Sequence, residues 1–194
     1  MQNKKLWIAF GVVLTLCLCV GVAGFFALRS VGSRMAESVK LDPAEVEQVG
    51  AQIAEYEVPE GYSHRMAMSM MGYDFVIIAP EGDGSGMMIM LAQFGQAFVQ
   101  GSDPKAFQEQ MQRSLEQQSG RRGLNLKAVE TRTITIRGQE VEVTVFEGAD
   151  ENGISIRQMV ASFATENGLG MVLIQGVAGA WDQDAADAFL ESIR

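Results

Sequence analysis

The sequence is poor in the residues that most catalytic and metal sites need. Both cysteines, Cys17 and Cys19, lie in one uncharged run near the amino terminus, and His64 is the sole histidine. That excludes a Cys-His nucleophile pair and an ordinary Cys/His zinc site outside that run. A Ser-His-Asp triad would have to use His64, and no Gly-x-Ser-x-Gly elbow occurs. Basic residues are scarce too: 15 Lys and Arg stand against 24 Asp and Glu, a formal charge of −9. Nothing in such a balance neutralises a phosphate backbone, so no nucleic-acid partner is expected. With 47% apolar residues, the chain is not of a disordered or collagen-like class.

What is present begins with Leu6 to Leu28, a run of 23 residues without a charge. At about 1.5 Å per residue it is long enough to cross a hydrocarbon core of about 30 Å. A cleaved signal peptide has a shorter apolar stretch, so the length favours an uncleaved signal anchor. Lys4 and Lys5 precede the run and Arg29 and Arg34 follow it, and the short tail 1–5 favours the tail-in orientation. The expected location is therefore a bacterial inner (cytoplasmic) membrane, crossed once, with the C-terminal domain outside the cytoplasm. The part after residue 29 holds 12 basic and 24 acidic residues, a formal −12, and would be repelled by anionic headgroups.

Beyond the anchor, residues 29–58 read as a stalk with a short helix. Asp42-Pro43-Ala44-Glu45 is a helix start, and Val46, Val49 and Ile53 form one apolar stripe. Residues 59–194 read as the exported domain. Period-two patterns predict strands over Tyr62–Met71, Tyr73–Ala79, Met87–Phe94, Thr131–Arg137, Gln139–Phe146, Ile154–Ala164 and Leu169–Val177. Gly138 and Asn167-Gly168 mark hairpin turns. Asp103-Pro104 opens a helix with Phe107, Met111 and Leu115 on one side. Trp181–Ile193 reads as a last helix, with Trp181, Ala185, Phe189 and Ile193 four apart. The expected fold is α+β: an antiparallel sheet of about seven strands with helices packed on it, preceded by one transmembrane helix.

Most candidate sites have plain structural readings. Gly82-Asp83-Gly84-Ser85-Gly86 lacks the Lys and following helix of a phosphate loop, and one carboxylate does not make a calcium site. Glu140 and Glu142 alternate with Val141, Val143 and Val145, which places them on a solvent face. Asp182, Asp184 and Asp187 suit the positive end of the last helix. Methionine is the unusual signal, with 12 in the chain. His64, Met66, Met68 and Met70 alternate and would share one strand face, with Met88 and Met90 on a nearby strand. Thioethers with an imidazole suit Cu(I), while methionine also fills irregular cores.

The element order, with Pro59, Gly61 and Tyr62 at the first strand, Asp103-Pro104-Phe107 and the closing Ala188-Phe189-Leu190-Glu191-Ser192-Ile193, resembles the PsbP-like α/β/α sandwich superfamily. That group includes the PsbP, DcrB and LpqN types. The resemblance implies an α/β/α sandwich over residues 59–194 and a mostly non-enzymatic role in binding or stabilising partners of membrane-associated complexes. The group has no common catalytic motif, so it implies no site residues. The sequence thus leads to a membrane-anchored, non-catalytic binding or assembly module without a cofactor, held in the membrane through residues 6–28, with a protein partner in or at the membrane. The alternative is an exported metal-handling protein that uses the His64, Met66, Met68 and Met70 face for Cu(I).

Overall fold

The computed structural model describes residues 38–70, 72–82, 86–99, 113 and 124–194. The anchor at 6–28, the Asp103 helix, Arg121-Arg122 and the centre of the Gly82–Gly86 loop lie outside the described residues. The chain divides into two compact units, Met1–Val39 and Lys40–Arg194. Nearly all the described residues belong to the second unit.

Its elements are β1 (Val39–Lys40, on the boundary), α1 (Pro43–Ile53), β2 (Tyr62–Met70), β3 (Tyr73–Pro80), β4 (Met87–Gly95) and the single turn α2 (Gln96–Val99). Then come β5 (Lys127–Ile136), β6 (Gln139–Ala149), β7 (Ser155–Thr165), β8 (Gly168–Val177), a 3-10 turn at Ala178–Ala180 and α3 (Gln183–Ser192). The strands form one eight-stranded sheet in the order β1-β2-β3-β4-β8-β7-β6-β5. Two meanders, β2-β3-β4 and β5-β6-β7-β8, meet at an antiparallel β4–β8 pair.

The expected sheet of about seven strands with a sandwich of helices and a transmembrane helix is corrected on three points. The sheet has eight strands, because two residues at Val39–Lys40 add an edge that is too short to show any alternation. The described helices are few and short, and α1 and α3 both pack on the same face of the sheet. Among the described residues no helix is long and apolar enough to cross a membrane. The physical reason for the β-rich balance lies in the pairing. Seven strands of 8 to 11 residues pair antiparallel with their sheet neighbours, which satisfies the backbone groups facing those neighbours.

The alternation of apolar and polar residues sets the two faces. On one face Val76, Ile78, Ile89, Leu91, Val143, Val172 and Ile174 are buried beneath the helices. Helix α1 contributes Val46, Val49 and Ile53, and α3 contributes Ala186, Phe189 and Leu190. Each such side chain contributes about 1.5–3 kcal/mol by leaving water. The first helix starts where Asp42-Pro43 indicates, whereas the last starts at Gln183, two residues after the expected Trp181, because Asp182 caps it. The Asp42 side chain accepts from the Ala44 and Glu45 amides at 3.0 and 3.4 Å, and Asp182 accepts from Ala185 N at 2.9 Å.

Helix α1 ends at Ile53, and the following segment runs extended alongside the chain's last residues. Glu55 and Arg194 exchange both backbone hydrogen bonds, at 3.2 and 2.8 Å. The second sheet face carries a smaller cluster of Phe146, Val160 and Leu173, with Met90 and Leu126 packed against it.

Candidate functional site

The four residues His64, Met66, Met68 and Met70 are not brought together as a metal face. In the β2–β3 pair His64 lies opposite Ile78, but Met66 lies opposite Ile77. Two residues of β2 therefore face one of β3, a β-bulge at Arg65. One extra residue inverts the side-chain parity of everything beyond it. His64 shares the helix-covered face with Ile78. Met66, Met68 and Met70 lie on the opposite face, across from Ile77, Phe75 and Tyr73. Met88 and Met90 share that second face, opposite Gln175 and Leu173 of β8. Ile77 lies between Met66 and Met90, so the thioethers of neighbouring strands are not adjacent. The aromatic rings of this face gather around Tyr73, 5.6 Å from Phe75 and 4.9 Å from Phe94. Burial raises the Tyr73 hydroxyl pKa.

His64 instead pairs with Tyr56, whose hydroxyl is 2.8 Å from Nε2. Tyr56 in turn packs edge-on against Phe189 at 5.6 Å. Burial lowers the His64 pKa, and the Glu47 carboxylate partly opposes this. Burial, then Glu47, raises that of Tyr56 well above its ordinary value. A neutral imidazole accepting from a neutral phenol is the arrangement that both shifts favour. The pair ties the segment after α1 to β2.

A second polar group joins α3 to β5 and β7. Arg132 donates to Asp187 through both Nη atoms, and Gln183 donates to the same carboxylate at 3.0 Å. Trp181 Nε1 donates to Gln183 Oε1 at 3.0 Å, and the Arg157 guanidinium lies over the Trp181 ring at 5.5 Å. Burial would raise the Asp187 pKa, but the bonds from Arg132 and Gln183 outweigh it and hold the carboxyl below its ordinary range. The helix dipole is thus only part of the role of Asp187; its ion pair with a strand arginine is a tertiary feature that periodicity does not show. Glu140 and Glu142 are exposed, as the alternation indicates.

Two features remain that the structural ties do not absorb. The first is an apolar corner. Met88, Ile154 and Val177 are 37%, 46% and 43% exposed. Register puts Met88 across from Gln175 and Val177 across from Ile156, so Met88, Val177 and Ile156 share the second face at one end of the β4–β8–β7 segment. Ile154 leads into β7 at the same end.

The second is a cavity of about 360 Å³ at the C-terminal end of α1. Its walls include Gln52 and Glu55 around that helix end, Gln93 of β4, Arg137 of the β5–β6 turn, and Glu166 and Asn167 of the β7–β8 turn. Gln93 points to the helix-covered face and is only 5% exposed. Among the described residues the buried side-chain atoms without a hydrogen-bond partner are Arg157 Nε and Thr165 Oγ1, so the Gln93 amide, which lines the cavity, is not one of them. Arg137 has φ 54°, and with Gly138 at φ 72° it forms the two-residue turn between Ile136 and Gln139. Asn or Gly suits that backbone far better than Arg. By its pattern Met87–Phe94 is one apolar strand. Gln93, polar at an inward position, is the signal within it.

No protein-family model and no curated protein matches the chain.

Proposed function

We propose that the chain is a membrane-anchored, non-catalytic binding or assembly module whose domain lies outside the cytoplasm of a bacterial cell. It docks a protein partner in or at the membrane through the apolar corner of the sheet. The observation that carries this reading is the exposed Met88, Ile154 and Val177 at one end of one face. Large apolar side chains gathered on a surface otherwise rich in charge are the ordinary mark of an interface core. Methionine adapts its shape to a partner better than branched residues do. The formal −12 of the chain after residue 29 supports a partner that surrounds an apolar centre with basic residues. The uncharged run Leu6–Leu28 supports the anchor.

The test uses the full chain in its native membrane, with a photo-crosslinking residue placed at position 88, 154 or 177. The expected result is one specific adduct from each of the three positions and none from position 142, on the exposed part of β6. Raised salt weakens the adduct, and Val177→Glu, which leaves the melting temperature unchanged, abolishes it. No adduct at the corner, or equal adducts at 142, overturns the reading.

A further inference from the structure

We propose that the cavity at the C-terminal end of α1 binds a small basic amino acid, a ligand with one carboxylate and two cationic groups.

Charge and hydrogen-bonding capacity at the walls decide the ligand class. Among the described residues Arg137 makes no ion pair, so its guanidinium is available to a carboxylate. A guanidinium takes a carboxylate through two parallel bonds, which orients the ligand as well as holding it. Arg194 also lines the cavity, but its guanidinium is engaged by Glu57 at 3.1 Å. Glu55 and Glu166 carry the opposite sign and make no ion pair among the described residues.

The last turn of α1 adds to that negative side, because its final carbonyls lack partners within the helix. Among the described residues only the Ala54 amide reaches back, to Gly50 O at 3.1 Å. The described walls thus hold one available cation, two carboxylates and a helix C-terminus. A simple anion would be repelled by the second group and a simple cation by the first. A basic amino acid satisfies both: its α-carboxylate meets Arg137, and its two ammonium groups meet Glu55, Glu166 and the helix end. Gln93 and Asn167 supply amides that can donate to the carboxylate or accept from an ammonium. The volume of about 360 Å³ falls in the range of small-molecule sites.

Two choices made by the chain agree with this use. An arginine occupies a left-handed turn position that would be unstrained with Asn or Gly. A glutamine sits nineteen-twentieths buried at a strand position whose neighbours on that face, Ile89 and Leu91, are fully buried apolar residues. Both side chains line one cavity.

The experiment is calorimetric titration of the full-length chain in mild detergent with L-lysine, and with L-glutamate as the charge-reversed probe. The expected result is saturable binding of L-lysine and none of L-glutamate. Arg137→Asn, which fits the turn, should weaken L-lysine binding roughly tenfold or more, the loss typical of a charged hydrogen-bonded partner. Glu166→Gln should weaken it by a smaller factor. Absence of saturable L-lysine binding overturns the proposal. So does equal binding of L-glutamate, or L-lysine binding that is unchanged in Arg137→Asn.

Discussion

The Tyr56 hydroxyl and His64 Nε2 lie 2.8 Å apart, closing the segment that follows α1 onto the first long strand. Each partner of this hydrogen bond predicts one limb of the pH–stability curve. The His64 pKa is lowered on folding, so below the ordinary value of about 6.5 the unfolded chain binds the extra proton. Stability is full above that value and falls as the pH drops through the folded pKa. The Tyr56 pKa is raised, so its contribution is full below about 10 and lost as the pH rises beyond it. Chemical denaturation between pH 5 and 11 checks both: His64→Gln should flatten the acid limb and Tyr56→Phe the alkaline one. An unchanged acid limb in His64→Gln would place the titration elsewhere.

Gly50 is required by the same tyrosine. A Cβ at that position would overlap the Tyr56 hydroxyl oxygen and crowd its ring. Helix propensity alone favours Ala over Gly by about 1 kcal/mol. The overlap should reverse that sign, so Gly50→Ala lowers the melting temperature. In a Tyr56→Ala background the same substitution should be neutral or stabilising. A double-mutant cycle by thermal denaturation reads the coupling, and additive effects would contradict the packing described.

Asp187 should behave as a half-buried ion-pair partner. Its carboxylate is 29% exposed and its Arg132 partner 32%. Asp187→Asn should therefore cost about 1 kcal/mol rather than the several expected of a fully buried pair. Because the folded pKa is lowered, this contribution is complete above about 3.9 and disappears as the pH falls through the folded value. Urea denaturation of the variant and parent at pH 7 and pH 3 should show the difference shrink at the lower pH.

Arg137→Asn should raise stability by up to about 1 kcal/mol, since Asn tolerates the left-handed backbone of the β5–β6 turn. A lower denaturant midpoint would show that the arginine has a structural partner. The gain, alongside loss of L-lysine binding, would identify a residue kept at the expense of stability.

Much of the architecture is legible in the sequence because both periods are strong. Val141, Val143 and Val145 alternate and are buried, while Glu140 and Glu142 between and beside them are exposed. The stripe of Val46, Val49 and Ile53 is buried as its spacing indicates, and the cap at Asp42 lies where the helix start indicates, while the last helix begins two residues after the expected Trp181. Turns are less sharp. Asn167-Gly168 marks the β7–β8 hairpin, but the two turn residues are Glu166 and Asn167, and Gly168 already pairs with Thr165. The polar groups of the cavity are not legible as a pair. Gln93 and Arg137 lie 44 positions apart and come to line one cavity only because the ends of β4 and of the β5–β6 turn both border it.

By itself the sequence determined which residues alternate, where the first helix starts, how acidic the chain is and which catalytic groups it lacks. Those properties follow from local spacing and composition. Only the tertiary structure decided which residues face one another. The bulge at Arg65 has no glycine to announce it, yet its one extra residue sends His64 to Tyr56 beneath the helices and leaves Met66, Met68 and Met70 on the other side of the sheet. Register is a property of two strands together, so the pattern of either one alone could not contain it.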